Sequence, residues 1–244
     1  MPEQVDPHYA IAEAPPPADT SHIRRKFLNL AYAPLSPAQK LDIYLPDEGD
    51  GPFPVILFIH GGAFMGCDKA DLQVVPALEG LKRGYAVVSI NYRMSGEAKF
   101  PALVEDAKAA VRWVRANAKR YKLNPHKIAA WGGSAGGYLA TMLGVSAGIR
   151  DLENLALGNP DQPCHVQAVV AWYAPTDFLK MDDYLTESGL LPPPGFRHNE
   201  ADSPESLLLG QTITEIPEKV KAANPEPYLR SDGPPFLLQH GTKE

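Results

Sequence analysis

Cysteine is nearly absent from this chain. Only Cys67 and Cys164 occur, far apart in 244 residues. A single bridge between them is conceivable, but two free thiols in a reducing compartment is the simpler reading, and a cytoplasmic location is expected. The seven histidines have no paired spacing, and there is neither a Cys-x-x-Cys nor a His-x-x-x-His, so neither a metal site nor a cofactor is expected. No basic excess exists: the net charge is -6, which leaves no electrostatic footprint for nucleic acid or an anionic membrane surface. No apolar run approaches the roughly 20 residues of a membrane span. The start, Met1-Pro2-Glu3-Gln4-Val5-Asp6, has neither a basic leader region nor an apolar one. These absences argue against nucleic-acid, membrane and zinc-scaffold classes.

Proline, by contrast, is plentiful at 25 residues and falls mostly in connections, which predicts long, stiff loops. Residues 1–22 are polar and proline-marked and read as a mobile arm or a surface strap. Residues 23–244 read as one domain. Ile23–Ala31 and Lys40–Leu45 have the pattern of a strand pair, the second placing Leu41, Ile43 and Leu45 on one face and Asp42 and Tyr44 on the other. Val55–Ile59, Ala86–Ile90, Ile128–Trp131, Val166–Trp172 and Phe236–Gln239 are short apolar runs suited to a sheet covered on both faces.

Helical spacing appears between these runs. It covers Leu72–Arg83, and it recurs where Leu103, Ala107, Ala110, Val111, Val114 and Ala118 alternate with Glu105, Lys108, Arg112, Arg115 and Lys119. Strand–helix alternation predicts an α/β fold with a mainly parallel sheet, whose ligand sites lie at the carboxyl ends of the strands. Residues 177–232 break this rhythm. Gly189, Pro192-Pro193-Pro194, Gly195 and Gly210 interrupt them, with short helices expected at Glu205–Leu209 and Pro217–Ala223. An insertion of this size beside strand ends is expected to cap a site.

Two strand exits carry the chemistry. Lys127-Ile128-Ala129-Ala130-Trp131 breaks at Gly132-Gly133-Ser134-Ala135-Gly136, a Gly-x-Ser-x-Gly pentapeptide, and resumes as a small-residue helix. So tight a turn tolerates only small neighbours and pushes the central serine outward, the way a nucleophile is presented. Pro54–Ile59 runs into His60-Gly61-Gly62-Ala63-Phe64, where glycines let backbone N–H groups turn toward an oxyanion.

Together these residues resemble the α/β-hydrolase fold, and within it the esterases with a His-Gly-Gly oxyanion motif. The resemblance runs from about Lys40 onward and includes Asn91-Tyr92-Arg93, Phe100-Pro101 and Ala174-Pro175-Thr176-Asp177-Phe178. It is greatest to the bacterial feruloyl/acetyl esterase type, related to hormone-sensitive-lipase-type carboxylesterases and arylformamidases. That resemblance implies Ser134 as nucleophile and the N–H groups of Gly61, Gly62 and Ala135 as the oxyanion hole. His240-Gly241-Thr242-Lys243-Glu244 matches the family's His-Gly-x-x-Asp, which puts Glu244 in the position of the acid.

The family's histidine lies beyond that acid, and none follows Glu244. His60 and His240 read as loop braces. His8, His22, His165 and His198 lie in segments the family does not use for catalysis. The chain is therefore expected to be C-terminally incomplete, lacking a final strand and helix. Its Phe236–Gln239 strand would then be an apolar edge needing cover from a rearranged terminus, a second copy or a complementing segment. The implied activity is hydrolysis of a small-molecule ester, with short-chain or aromatic acyl groups, through an acyl-enzyme on Ser134. Amide or peptide cleavage, and a catalytically inert chain, are the rival readings.

Overall fold

The computed structural model describes residues 14–189 and 197–241. It contains a seven-stranded sheet in the order β1-β2-β4-β3-β5-β6-β7. The strands are β1 (Lys26–Ala31), β2 (Lys40–Tyr44), β3 (Phe53–Ile59), β4 (Ala86–Ile90), β5 (Leu123–Gly133), β6 (Ala168–Trp172) and β7 (Phe236–Gln239). β2 runs antiparallel to β1 and β4, whereas β4, β3, β5, β6 and β7 are mutually parallel. This is the expected α/β architecture. The helices are α1 (Val75–Leu78), α2 (Ala102–Ala116), α3 (Ala135–Val145), α4 (Met181–Glu187), α5 (Pro204–Leu209) and α6 (Pro217–Ala223). Among the described residues no helix is long and apolar enough to cross a membrane.

The central strands are covered on both faces, and Leu57, Ile59, Val88, Ile90, Ile128 and Ala130 are buried. Burial of these aliphatic side chains, at roughly 25 cal/mol per Å² of apolar surface, is the main favourable contribution to the fold. The second face of β2 is buried too. Asp42 lies there against the ammonium of Lys69 at 3.1 Å, both out of solvent.

Several expectations change in detail. The helix anticipated over Leu72–Arg83 is three pieces, with α1 flanked by 3₁₀ turns at Leu72–Val74 and Glu79–Arg83. Pro76 lacks an amide donor, and Gly80 lets the backbone close on Ile56 where a Cβ would fall 2.6 Å from Ile56 Cδ1. The charged side of α2 was expected to face away from the core, yet Lys108, Arg112 and Arg115 are buried. Carbonyls of the following loops accept their hydrogen bonds: Lys108 Nζ donates to Ser146 O at 2.7 Å, Arg112 to Asn154 O at 2.8 Å and Arg115 to His165 O at 2.7 Å. Spacing cannot show that a loop will fold back with its carbonyls turned inward.

The described part of the N-terminal segment is a strap. Ala18 N donates to Ala70 O at 2.8 Å and Leu72 N to Pro16 O at 2.9 Å. Cys67 and Cys164 are both free. Strand β7 is the sheet's outer edge, with Leu237 52% and Leu238 67% exposed. No described segment covers it, so the rearranged terminus is not found among the described residues. Thr242, Lys243 and Glu244, His8, Pro192-Pro193-Pro194 and Gly195 lie outside the described residues.

Candidate active site

Strand register brings the site together. Ile59 pairs with Gly132, Gly133 with Trp172, and Trp172 with Gln239. The next residue of each strand, His60, Ser134, Tyr173 and His240, therefore emerges at the same carboxyl edge. This is the crevice position favoured for ligands in parallel sheets.

Ser134 stands between β5 and α3 with φ 53° and ψ -125°, a conformation that costs an L-residue about 1–3 kcal/mol. The surroundings hold it there: its N–H donates to Trp172 O, and its carbonyl accepts from Tyr138 N, both at 2.9 Å. The flanking glycines are a steric requirement, since a Cβ on Gly136 would run into the Ile59 carbonyl oxygen and one on Gly132 into the backbone of Gly136. Gly61 closes from the other side, where a Cβ would lie 3.3 Å from Ser134 Cβ.

The His60 loop is fixed by three interactions. Its Nδ1–H donates to Gly61 O at 2.7 Å. Tyr92 stacks on the ring at 4.9 Å and donates its hydroxyl to His60 O at 3.0 Å. Burial holds the imidazole below its ordinary pKa, so His60 is a neutral brace. Tyr92 is in turn carried by a chain pinned at Arg93, whose guanidinium grips the buried Asp106 at 2.8 Å.

One anticipated donor is corrected. The Gly61 N–H points to Gln73 Oε1 at 2.8 Å and is thereby occupied. The N–H groups of Gly62, Ala63 and Ala135 have no hydrogen bond to another described residue. Ala63 and Ala135 line the same cavity as Ser134. Ala63 adopts φ 51°, the turn that carries the loop past the serine. The motif's first glycine drew attention because it is a glycine, but the tertiary partner Gln73 decides which amide is free.

That cavity has a volume of about 590 Å³. Its floor is Ala63, Phe64, Ser134 and Ala135, and its wall comes from Tyr173–Asp177, from α4 and from His198, Pro204 and Glu205, with His240 at the rim. Phe64, Tyr138 and Phe178 pack together beneath the wall, with centroids 5.4 to 6.1 Å apart, tying residues after β6 to the helix behind Ser134. Sequence reading missed α4 and the pairing of His198 Nδ1 with Glu205 Oε2 at 2.9 Å. It also missed Ala63, although the residue stands inside the quoted motif. His198 and His240 are the histidines lining the cavity among the described residues, and neither is hydrogen bonded to Ser134.

A parallel sheet with a strained serine at a strand-to-helix turn, facing free backbone amides, defines the α/β-hydrolase class. Within that class the chain belongs to the BD-FAE family, whose model matches residues 41–244. It is 31% identical over 210 residues to Esterase LipC of Mycobacterium tuberculosis, covering 85% of this chain and 49% of that protein. It is 29% identical over 239 residues to the probable carboxylic ester hydrolase LipM of the same organism, covering 96% of this chain and 52% of the relative. The chain thus spans about half the length of these curated relatives. Among solved structures, a truncated form of a carbohydrate esterase from gut microbiota superposes with TM-score 0.80 at 34% identity, covering 93% of this chain and 79% of that one.

Proposed function

We propose that the protein hydrolyses carboxylic esters through an acyl-enzyme on Ser134, with a short-chain or aromatic acyl group. The observation carrying this reading is the strained Ser134 facing unpaired amides across one cavity. Ser134 Oγ adds to the ester carbonyl as a base takes its proton. The resulting oxyanion is held by the N–H groups of Gly62, Ala63 and Ala135, donors already in place before charge develops. Collapse expels the alcohol and leaves the acyl-serine, which water hydrolyses. By the family resemblance Glu244 takes the position of the acid, which in that family orients a histidine base. The carbohydrate esterase neighbour supports an ester of a sugar, and the mycobacterial esterases support a simpler acyl ester.

Fluorophosphonate labelling followed by intact mass tests the reading, because only an activated serine reacts. The expected result is one adduct on Ser134 and none in Ser134→Ala. No adduct on the full-length protein would overturn it in favour of a non-catalytic protein. Turnover of p-nitrophenyl acetate, N-formyl-kynurenine and a prolyl dipeptide separates esters from amides, and the first is expected to react fastest.

A further inference from the structure

The wall of the cavity contains an arrangement that ester hydrolysis at Ser134 does not use. Glu205 is the second residue of α5, and its side chain is only 4% exposed. Its Oε2 lies 2.9 Å from Nδ1 of His198, whose side chain is 19% exposed and lines the cavity. A carboxylate can only accept, so the Nδ1 proton is on the ring. The backbone carrying that ring is also clamped: the carboxylate of Asp182 in α4 accepts from the N–H groups of His198 at 2.9 Å and Asn199 at 3.0 Å. Two carboxylates from two helices thus converge to fix one imidazole. Nε2 has no hydrogen bond to another described residue.

Burying Glu205 costs free energy that is recovered only through its partner. The loop itself does not require the pair, because Asp182 holds its backbone and Ser203 caps α5 through the Ser206 N–H at 3.1 Å. What the pair adds is an imidazole of fixed orientation on the cavity wall, whose Nε2 accepts a hydrogen bond when the ring is neutral and donates one when it is protonated. Burial works against charge on His198, but the hydrogen bond and charge of Glu205, with the charge of Asp182, outweigh it and hold its pKa above the ordinary value. Asp177 lines the same cavity, and its Oδ1 accepts from Asn224 Nδ2 at 3.2 Å. Tyr184, largely exposed, adds an aromatic face. Glu205 and Asp177 place two carboxylates on this wall, so it disfavours an anionic ligand. A fixed imidazole, a carboxylate acceptor and an aromatic face suit a neutral, hydroxyl-rich ring.

We propose that His198, positioned by Glu205, is a specificity-determining residue whose Nε2 hydrogen-bonds a hydroxyl in the sugar-like alcohol portion of the ester. This rests on the esterase reading for its placement beside Ser134, yet it is tested by binding alone. In a Ser134→Ala background, which removes turnover, the probes are methyl 4-O-acetyl-β-xyloside and phenyl acetate, titrated by protein-observed NMR. Adding His198→Ala is expected to weaken the xyloside tenfold or more while phenyl acetate changes less than twofold. Adding His198→Gln instead, which keeps a side chain able to donate or accept, is expected to recover part of the loss, and melting curves confirm that each variant is folded. Equal weakening of both probes, an unchanged xyloside affinity, or no xyloside binding to the Ser134→Ala protein would each overturn the proposal. Fluorophosphonate labelling of Ser134 reads the esterase proposal separately, so either idea can fail while the other stands.

Discussion

The floor and the wall of the cavity are built on different principles. The floor, from His60 to Phe64 and from Gly132 to Gly137, is almost entirely backbone held by close packing, with glycine wherever two chains would otherwise collide. The wall, from Tyr173–Asp177, α4, His198, Pro204 and Glu205, presents side chains, several of them exposed. Each region has its own histidine, and the two are shifted in opposite directions. His60 is buried without a carboxylate partner and is kept neutral by burial. His198 sits against Glu205 and is drawn toward the charged form. On the proposed function, reaction geometry is stored in the backbone, where substitution has the greatest cost, and recognition in side chains that can vary around it.

The sharpest way to break this contrast is to change one side chain in each region. Gly136→Ala drives a Cβ into the Ile59 carbonyl and is expected to cost about 3 kcal/mol or more and abolish Ser134 labelling. The wall control, Tyr184→Ala, removes a largely exposed ring and should stay within about 0.5 kcal/mol in urea denaturation. If the two variants unfold at similar urea concentrations, the floor is not the rigid element. Next in size is Gln73→Leu, which strips the Gly61 N–H of its acceptor. We expect a loss of about 1–3 kcal/mol and slower phosphonylation, with Gln73→Glu restoring most of both. A Gln73→Leu protein labelled at the parent rate would show that this amide need not be held.

Relief of strain gives a smaller effect of opposite sign. Ser134→Gly places a residue tolerant of positive φ at 53° and should raise stability by about 1 kcal/mol, even though it removes the nucleophile. No gain in the denaturation midpoint would mean that the turn is not strained. Smallest are the pH signatures of the two histidines. The folded pKa of His198 is raised, facing Glu205 and Asp182, so its contribution is complete below about pH 6.5 and fades as pH rises through the folded value. The stability difference between the parent and Glu205→Gln should shrink over that interval. The folded pKa of His60 is lowered, so its contribution is present above about pH 6.5 and fades as pH falls toward the folded value. His60→Asn should show less of that acid-side loss. Parallel rather than opposed slopes would show that the two sites share one electrostatic environment.

Much of the floor was legible in the chain itself. Apolar runs of strand length, each ended by glycine or histidine, mark β3 and β5, and Gly132 to Gly136 announces a turn that only small residues can make. Gly61 was misread as a free donor because its occupant, Gln73, is a side chain arriving from a separate turn. The wall was less legible. Met181–Glu187 is short and mostly polar, and nothing in its spacing signals a helix that lines a cavity. His198 and Glu205 look like unrelated surface residues until α5 places one against the other.

Local order explains this division. The sequence by itself determined the α/β alternation, the serine turn and the family to which they belong, because each depends on neighbours only a few residues apart. Tertiary structure alone decided which amides lack a partner among the described residues beside Ser134, which cationic side chains of α2 are buried, and which histidine is drawn toward charge. Those outcomes depend on a partner supplied from elsewhere in the chain: Gln73 for Gly61, the loop carbonyls for Lys108 and Arg112, and Glu205 for His198. An amide or a ring nitrogen has no fixed role until its partner arrives, and in this protein the partners arrive only through packing.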